Sequence, residues 1–283
     1  MRTGPAAERT VVRGADGVPL LVYAAGERHR PVVVIATACG MPVELTDPWI
    51  RALAADSFVV TWETRGIFAE SALSPTEFDA LGHDVAAQAG DLCAVLDHFK
   101  VERAHAMGFC GGAVIALRAA ADQPGRLSSL SLWNGDFALP GHATTDHQRN
   151  LKAVMEMAAR DRTTAAELLA LLRQLVAGQV PPELADLVLY PYADAERFHR
   201  YCRLNGAIMA ADLAALLPGI DVPALVVTAV TDTTTHPDGS RGAARLLSGS
   251  ELCEAGQGSH LAVFEATRAH RALLESFRAR HTS

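Results

Sequence analysis

A cysteine set between glycines, in Gly108-Phe109-Cys110-Gly111-Gly112, is the feature of this chain that most clearly suggests chemistry. Residues 101–107 before it read as a short strand, and residues 113–117 after it read as the opening of a helix. Gly108 and Gly112 would permit the close backbone approach that a sharp strand-to-helix turn demands. The turn would place Cys110 at a helix N-terminus, where the local field favours a thiolate nucleophile. A glycine-rich loop with a buried structural cysteine is the alternative.

A histidine and an aspartate in the last quarter of the chain are candidates for the groups that would activate this thiol. A nucleophile of this kind needs a base, and the base needs an acid that orients it. Asp232 follows the apolar run 224–230, and His260 lies in a loop before the last helical stretch. Cys110, Asp232 and His260 therefore follow in the order nucleophile, acid, base that is usual around such an elbow. Asp136, which comes just after another apolar run, is the alternative acid.

Two backbone N–H groups would complete the site by stabilising negative charge on a carbonyl oxygen of the substrate. One is the N–H of Gly111, directly after the nucleophile, and the second should come from the loop 37–42 after the apolar run 32–36. Cys39 is the residue that we expect to supply the second N–H. Its thiol would then face the same pocket as Cys110, or it packs inward as a small hydrophobic side chain.

The elements that must position these residues alternate between strand and helix, which predicts an α/β fold with a mostly parallel sheet covered by helices on both faces. A hairpin is predicted around Asp16-Gly17, and a helix is predicted over residues 83–99. A weaker strand is expected near Leu252, and a terminal helix over residues 261–280. Continuous apolar runs indicate strands that are buried on both faces over residues 31–37 and 57–62, and further strands are predicted over residues 101–107, 127–133 and 224–230.

The segment 141–217 departs from this alternation because its pattern is helical throughout. It is longer than a simple crossover between parallel strands requires. We therefore predict a core of residues 1–140 and 218–283, with residues 141–217 forming a helical cap over one edge of the sheet. A pair of ordinary crossover helices is the alternative.

The overall composition argues against several classes of protein, among them nucleic-acid-binding, disulfide-rich and membrane-spanning proteins. The chain has 283 residues, 49% of them hydrophobic, and a formal net charge of −7, which argues against general nucleic-acid binding. Its five cysteines have irregular spacing, so neither a disulfide framework nor a metal site is expected. No apolar run reaches membrane-spanning length, and the first ten residues are polar, so we expect a cytoplasmic protein without a membrane partner.

Taken together, these features resemble the α/β-hydrolase superfamily over nearly the whole chain. The resemblance rests on the order of strand, Thr37-to-Gly40 loop, elbow, cap, acid and late histidine. The loop departs from the superfamily's usual pattern, because Thr37-Ala38 stands where His-Gly is usual. The resemblance implies a catalytic triad of Cys110, His260 and Asp232.

One subgroup is especially similar, the thioesterase-like acyltransferases that shuttle aminoacyl groups between carrier proteins in nonribosomal peptide assembly. The similar segments are the cysteine elbow, residues 39–42, residues 60–66 and His260-Leu261-Ala262. This resemblance implies that Cys110 takes an acyl group from one phosphopantetheine thiol and passes it to another, with acyl or peptidyl carrier proteins as partners and no bound cofactor. Exchange between two thioesters is nearly thermoneutral, which suits a sulfur nucleophile.

Three other interpretations of Cys110 are compatible with the sequence. Water could accept the acyl group instead, which would make the protein a thioesterase or esterase with the same triad. The chain could also be a non-catalytic binding protein, because fold alone does not establish activity. The cysteine could finally be an engineered replacement for serine that traps an intermediate.

Three arginines in the predicted cap could recognise such a substrate or partner. Arg197, Arg200 and Arg203 recur at three-residue spacing, which puts them on one side of a helix. They could bind a pantetheine phosphate or an acidic carrier helix, or form local ion pairs on a solvated face. Tyr201 is a candidate for lining the acyl pocket, together with other apolar cap residues, Tyr190, Tyr192, Phe198 and Met209.

Overall fold

Eight β-strands form a single sheet in the residues that the structure, a computed structural model, describes: 7–68, 73–176 and 182–281. The strand order is β1-β2-β4-β3-β5-β6-β7-β8. β1 and β2 pair antiparallel, as do β2 and β4, and every other pairing is parallel. The strands are β1 (Glu8–Arg13), β2 (Pro19–Ala25), β3 (Val32–Ala36), β4 (Phe58–Trp62), β5 (Ala104–Phe109), β6 (Leu127–Trp133), β7 (Ala224–Ala229) and β8 (Ser250–Ala255).

Eleven α-helices in the same described ranges surround this sheet. Those of the core are α1 (Asp47–Leu53), α2 (Pro75–Asp79), α3 (Val85–His98), α4 (Gly111–Asp122), α10 (Pro237–Leu246) and α11 (Arg268–His281). Those between β6 and β7 are α5 (Asp146–Ala158), α6 (Arg162–Val176), α7 (Ala185–Val188), α8 (Ala195–Met209) and α9 (Leu213–Leu216). The arrangement confirms the predicted α/β-hydrolase fold, with a mostly parallel sheet between two helical layers.

The central strands are continuously apolar because both of their faces are buried. In β3, Val34 and Ala36 belong to the hydrophobic cluster shared with α3 and α4, whereas Val33 and Ile35 belong to the cluster shared with α1 and α11. Alternate side chains of a strand point to opposite faces, so each apolar residue has a helix layer to pack against. This packing fixes the carboxyl ends of the strands, where the candidate site residues lie.

His105 lies inside the buried strand β5 and has a structural role. Its two ring nitrogens lie 2.8 Å from Ser129 Oγ and 2.9 Å from Ser131 Oγ of the neighbouring strand. Burial lowers the pKa of His105 to about 3, so the ring is neutral. A neutral imidazole bonded on both sides is well suited to the interior of the sheet.

The helices α5 to α9 lie where the cap was predicted, between β6 and β7. α8 packs against α5 and α6 on one side, and against α4 on the other. The helix that begins directly after Cys110 is therefore in direct contact with α8. The domain boundaries at residues 140 and 218 stay a prediction.

The start of the terminal helix was predicted wrongly. α11 begins at Arg268 rather than near residue 261, and residues 260–265 form a 3₁₀ turn instead. Ala266 follows with a left-handed φ of 47°, which ends the turn. The turn is held in the core because Trp49 Nε1 donates a 2.6 Å hydrogen bond to the carbonyl oxygen of Val263. The apolar residues of this turn have a spacing similar to that of the buried face of an α-helix, which is why the sequence predicted a helix there.

Candidate active site

Cys110 occupies the tight turn between β5 and α4. Its backbone has φ 51° and ψ −118°, a conformation that is rare for a residue with a Cβ. A Cβ on Gly108 would lie 2.5 Å from Ala113 Cα, and one on Gly112 would lie 2.1 Å from the carbonyl oxygen of Ala36. Both glycines are thus required by close packing, which is the arrangement of a strained nucleophile elbow.

Backbone hydrogen bonds hold the elbow in this conformation. The N–H of Cys110 donates to the carbonyl of Trp133 over 3.0 Å, which ties the elbow to the end of β6. The Cys110 carbonyl accepts from the N–H of Ala113 at 3.1 Å and from that of Asp136 at 3.3 Å. The side chain is partly exposed. The turn therefore presents the thiol to the cap side rather than burying it as a structural cysteine.

His260 and Asp232 form a hydrogen-bonded pair beside this cysteine. Nδ1 of His260 donates to Oδ2 of Asp232 over 2.8 Å, and the two side chains are 11% and 0% exposed. Cys110 also acts on His260, because its side chain raises the pKa of the histidine. The structure thus brings together the three residues that the sequence predicted as a triad. Because Nδ1 faces Asp232, the other ring nitrogen, Nε2, is the one available to the thiol.

The loop after β7 holds Asp232 in its charged form. Oδ1 accepts from the backbone N–H groups of Thr234, at 2.7 Å, and Thr235, at 3.1 Å. The Thr235 hydroxyl donates to Oδ2 over 3.0 Å. Burial, the largest single effect, would raise the pKa of Asp232, but the bond and charge of His260 and the two N–H donors together hold that pKa below its ordinary value.

The electrostatics of the site favour a protonated His260. Burial, the largest single effect, would lower its pKa, but the charge of Cys110 and the bond to Asp232 outweigh burial and raise the pKa of His260 to about 10. The hydrogen bond to Cys110 and the charge of Asp232 act in the same direction. The surroundings of His260 thus favour its imidazolium form.

Asn134 is a buried residue near the triad that the sequence analysis did not single out. Its Nδ2 donates to the backbone carbonyl of His260 over 3.2 Å, and its own carbonyl oxygen lies 3.3 Å from Thr235 Oγ1, whose proton is donated to Asp232. Its φ of 43° is left-handed. Asn134 thereby connects the end of β6 to both the histidine loop and the acid loop. A single asparagine after a strand carries no recognisable motif, so sequence reasoning had no signal for it.

Asp136, the alternative acid, has a different partner. Its Oδ1 accepts from Gln148 Nε2 at 2.7 Å, and its backbone N–H donates to Cys110. Burial raises the pKa of Asp136, although the bond from Gln148 opposes this. Gln148 Oε1 also accepts from the backbone N–H of His236 at 3.0 Å, so Gln148 connects the first turn of α5 to the acid loop. Asp136 therefore supports the elbow, whereas Asp232 orients the histidine.

The loop after β3 lies close to the turn at Cys110, because a Cβ on Gly112 would be 2.5 Å from the carbonyl oxygen of Thr37. Gly111 is the first residue of α4, so its N–H has no acceptor within the helix. The Cys39 side chain is buried, and its Sγ contacts Gln88 Oε1 at 4.0 Å, while the N–H of Gly40 donates to Thr64 Oγ1 at 2.8 Å. Burial raises the pKa of the Cys39 thiol, so that thiol is neutral. Its packing is that of a small hydrophobic residue, and the roles of the Cys39 and Gly111 N–H groups stay a prediction.

The three cap arginines lie on α8 but have separate partners. Arg200 is 7% exposed and donates to the carbonyls of Gly66 and Leu73, each over 2.7 Å. Arg197 lies over the ring of Tyr190, with its Cζ 4.0 Å from the ring centroid. Arg203 Nη2 lies 3.1 Å from His83 Nδ1. Two of the arginines also form local ion pairs of the kind that the sequence left open, Arg197 with Asp194 at 3.6 Å and Arg200 with Glu196 at 2.7 Å.

Tyr201 is the candidate pocket residue that lies nearest to the oxyanion loop. A Cβ on Gly40 would be 2.7 Å from Cδ2 of the Tyr201 ring, so the ring packs directly against that loop. Phe198 and Met209 are buried in the core, and Tyr190 and Tyr192 line a cap cavity of about 380 Å³. The five candidate residues therefore do not line one common pocket, because they lie in three different places.

Two observations concern membranes and metals. In the described ranges, no helix is both long and apolar enough to cross a membrane. Across those same residues, His, Cys, Asp and Glu side chains form no cluster of three or more that could hold a metal ion.

Two known enzymes are similar in sequence to this chain. No family model matches the chain. The 3-oxoadipate enol-lactonase 1 of Acinetobacter baylyi is 25% identical over 234 residues, which cover 81% of this chain and 82% of that protein. RutD of Variovorax paradoxus, provisionally named a carbamate hydrolase, is 27% identical over 216 residues, which cover 76% of this chain and 79% of that protein. None of these proteins is named as a carrier-protein acyltransferase.

A solved structure shows the same fold. The enol-lactonase from Burkholderia xenovorans superposes with a TM-score of 0.73 at 24% identity, over 96% of this chain and 100% of that one. The likeness covers the eight-stranded sheet and the helices around it. The chain therefore has the α/β-hydrolase fold.

Proposed function

We propose that this protein is a hydrolase that cleaves an activated ester or thioester through an acyl-enzyme on Cys110, with water as the final acceptor. The observation that carries the proposal is the position of Cys110 on a strained elbow beside the His260–Asp232 pair, whose atoms are 2.8 Å apart. The relatives support hydrolysis, because both are named as enzymes that open a bond at a carbonyl carbon.

The geometry supports a two-step reaction. The Cys110 thiolate adds to the substrate carbonyl, whose oxygen becomes negative and accepts hydrogen bonds from the N–H groups expected at Gly111 and Cys39. The intermediate collapses to a thioester on Cys110, and His260 gives its proton to the leaving group. His260 then takes a proton from water, which attacks the thioester. Collapse of this second intermediate expels Cys110 and releases the carboxylic acid.

The sulfur nucleophile restricts which bonds can be opened. The first intermediate can expel either the thiolate or the leaving group of the substrate, and the less basic one leaves more readily. A thiol has a reference pKa near 8.5, whereas an alkoxide is far more basic, so an alkyl ester would mostly revert to substrate. Enolates, phenolates and thiolates leave much more readily. The enol-lactonase relative has a leaving group of this kind, which supports enol esters, enol lactones and thioesters as the substrate class.

A leaving-group series tests this proposal. Acetyl esters of a phenol, an enol and an alkyl alcohol would be compared with an acetyl thioester, using kcat/KM as the readout. We expect the phenyl ester, the enol ester and the thioester to react at least about 100-fold faster than the alkyl ester, which corresponds to about 2.7 kcal/mol of barrier. Equal rates for the alkyl and activated esters would contradict the proposal, as would turnover that survives in Cys110→Ala.

Transfer to a carrier-protein thiol is the second candidate, and the sulfur of Cys110 is the observation that favours it. A thioester on Cys110 exchanges with another thiol at little free-energy cost, whereas hydrolysis is irreversible. In this candidate the acyl group arrives on a phosphopantetheine arm and leaves on another. Incubation with an acyl-loaded carrier protein and an unloaded one separates the two candidates. Label on the second carrier indicates transfer, and free acid in its presence indicates hydrolysis.

A further inference from the structure

One face of the cap helix α8 lies against both loops that would form the oxyanion hole. Tyr201, Asn205 and Ile208 share this face because they are four and then three residues apart. The Tyr201 ring packs against Gly40, as described above. A Cβ on Gly111 would lie 3.3 Å from Asn205 Oδ1 and 3.4 Å from Ile208 Cδ1. The cap therefore places one polar side chain, Asn205, directly beside the residue that follows the nucleophile.

The Asn205 amide is buried and incompletely hydrogen-bonded. The residue is only 7% exposed, and its Nδ2 lies 3.2 Å from Met155 Sδ. A thioether sulfur can only accept, and weakly, so the NH₂ group must face Met155 and the carbonyl oxygen must face away from it. Within ranges 7–68, 73–176 and 182–281, Asn205 Oδ1 has no hydrogen-bond partner. The atom nevertheless keeps some accessible surface. An acceptor without a donor is thus open to the space beside Gly111.

We propose that Asn205 Oδ1 accepts a hydrogen bond from a hydroxyl group on the acyl part of the substrate, close to the reacting carbonyl. The inference rests on the proposed function, because it takes the N–H of Gly111 to hold the carbonyl oxygen of that substrate. Asn205 contacts the same residue, so a group that reaches its oxygen must lie within a few bonds of the carbonyl carbon. A hydroxyl on the second or third carbon of the acyl chain meets this condition.

The neutral surroundings of Asn205 favour a hydroxyl over an ammonium group. The side chains that share its face or contact it, Tyr201, Ile208 and Met155, carry no negative charge. Once Cys110 carries the acyl group it is a neutral thioester, so a buried ammonium group would lack a counter-ion there and its desolvation would be costly. A purely apolar acyl chain would instead cover the Asn205 oxygen and leave it unpaired, which also costs free energy. The subsite therefore discriminates in favour of hydroxyacyl groups.

The experiment compares acyl thioesters that differ only in this hydroxyl. Butyryl, 2-hydroxybutyryl and 3-hydroxybutyryl groups would be attached to the same thiol, and kcat/KM would be measured with the full-length protein. We expect one of the hydroxyacyl thioesters to be preferred over butyryl by about tenfold, the effect of one buried hydrogen bond. In Asn205→Leu, which keeps the volume and removes the acceptor, we expect that ratio to fall to about one. Asn150→Leu, an exposed asparagine on the cap helix α5, is the matched control and should keep the wild-type ratio.

The outcomes distinguish this subsite from the hydrolase function. If wild-type protein turns over all three thioesters through Cys110 with no preference for either hydroxyacyl group, the subsite is overturned and the hydrolase function stands. A preference that survives in Asn205→Leu also overturns the subsite. If none of the three thioesters is turned over, and peptide mass analysis shows no acyl group on Cys110 with any of them, both inferences are overturned. If Asn205→Leu does not fold, the ratio of kcat/KM between the hydroxyacyl and butyryl thioesters in the wild-type protein is the test of the subsite.

Discussion

Nδ1 of His260 and Oδ2 of Asp232 lie 2.8 Å apart, although the two residues come from separate loops. Asp232 follows β7, and His260 follows β8, the edge strand of the sheet. The pair is completed by Asn134, which donates to the backbone of His260 from the end of β6. Three neighbouring strands thus converge on one imidazole, which fixes its orientation toward Cys110.

Asp232→Asn should lower kcat strongly, because an amide cannot stabilise the imidazolium or select the correct tautomer of His260. The expected loss is about 10⁴-fold, as for the equivalent change in a serine triad. Asp136→Asn is the matched control, because it removes the other buried carboxylate near the elbow but keeps an oxygen for Gln148 to donate to. Steady-state kinetics on both variants check this. A larger loss in Asp136→Asn than in Asp232→Asn would reverse the assignment of the acid.

The imidazole of His260 should titrate at high pH, with a pKa of about 10. This value exceeds the ordinary 6.5, so the stabilisation that the imidazolium contributes is complete below pH 6.5 and is lost as the pH rises through about 10. In Cys110→Ala the pKa of His260 should fall, because the charge and hydrogen bond of the thiolate are removed. Nitrogen-15 NMR of the histidine side chains measures both values. An unchanged pKa in the variant would show that Cys110 and His260 are not paired.

Gly112→Ala should destabilise the protein and abolish activity, since its Cβ would lie 2.1 Å from the Ala36 carbonyl oxygen and 2.5 Å from that of Thr37. Overpacking of this kind costs about 1–3 kcal/mol or more. Gly90→Ala, on α3, is the control, because a Cβ there meets nothing within 4 Å. It should raise the free energy of unfolding by about 0.5–1 kcal/mol. Urea titrations of both variants test the contrast, and equal stabilities would argue against a tightly packed elbow.

Asn134→Gly and Asn134→Ala separate the backbone conformation of this residue from its hydrogen bond. Both variants lose the donor to the His260 carbonyl, so both should lower kcat, by about tenfold, while KM changes little. Only alanine is strained at a φ of 43°, so Asn134→Ala should be less stable than Asn134→Gly by about 1 kcal/mol. Kinetics and urea titration together check this. A kcat that stays at the wild-type value in Asn134→Gly would show that the amide does not position the histidine.

The chain order of Cys110, Asp232 and His260 was sufficient to predict that they lie together, because each residue follows a predicted strand, although the strand before His260 has only a weak apolar pattern. In a parallel sheet the carboxyl ends of such strands meet at one edge. The glycines of the elbow were similarly informative, since few other residues tolerate those contacts.

The contributions of Asn134 and Asn205 could not be predicted in this way. Each is a single asparagine without a motif, and its role depends on contacts with distant residues. The start of the terminal helix was misplaced for a related reason. Apolar residues of the turn 260–265 pack against α1, and a periodic pattern does not distinguish this packing from a helical face.

The central claim is that Cys110 carries the acyl group, and trapping of the intermediate tests it most directly. Wild-type protein would be mixed with an activated ester or a thioester, quenched in acid within the first turnovers, digested, and analysed by peptide mass. The account predicts an acyl mass increase on the peptide that contains Cys110, absent from Cys110→Ala, which should also lose hydrolysis. Turnover without any adduct on that peptide, together with comparable hydrolysis by Cys110→Ala, would contradict it.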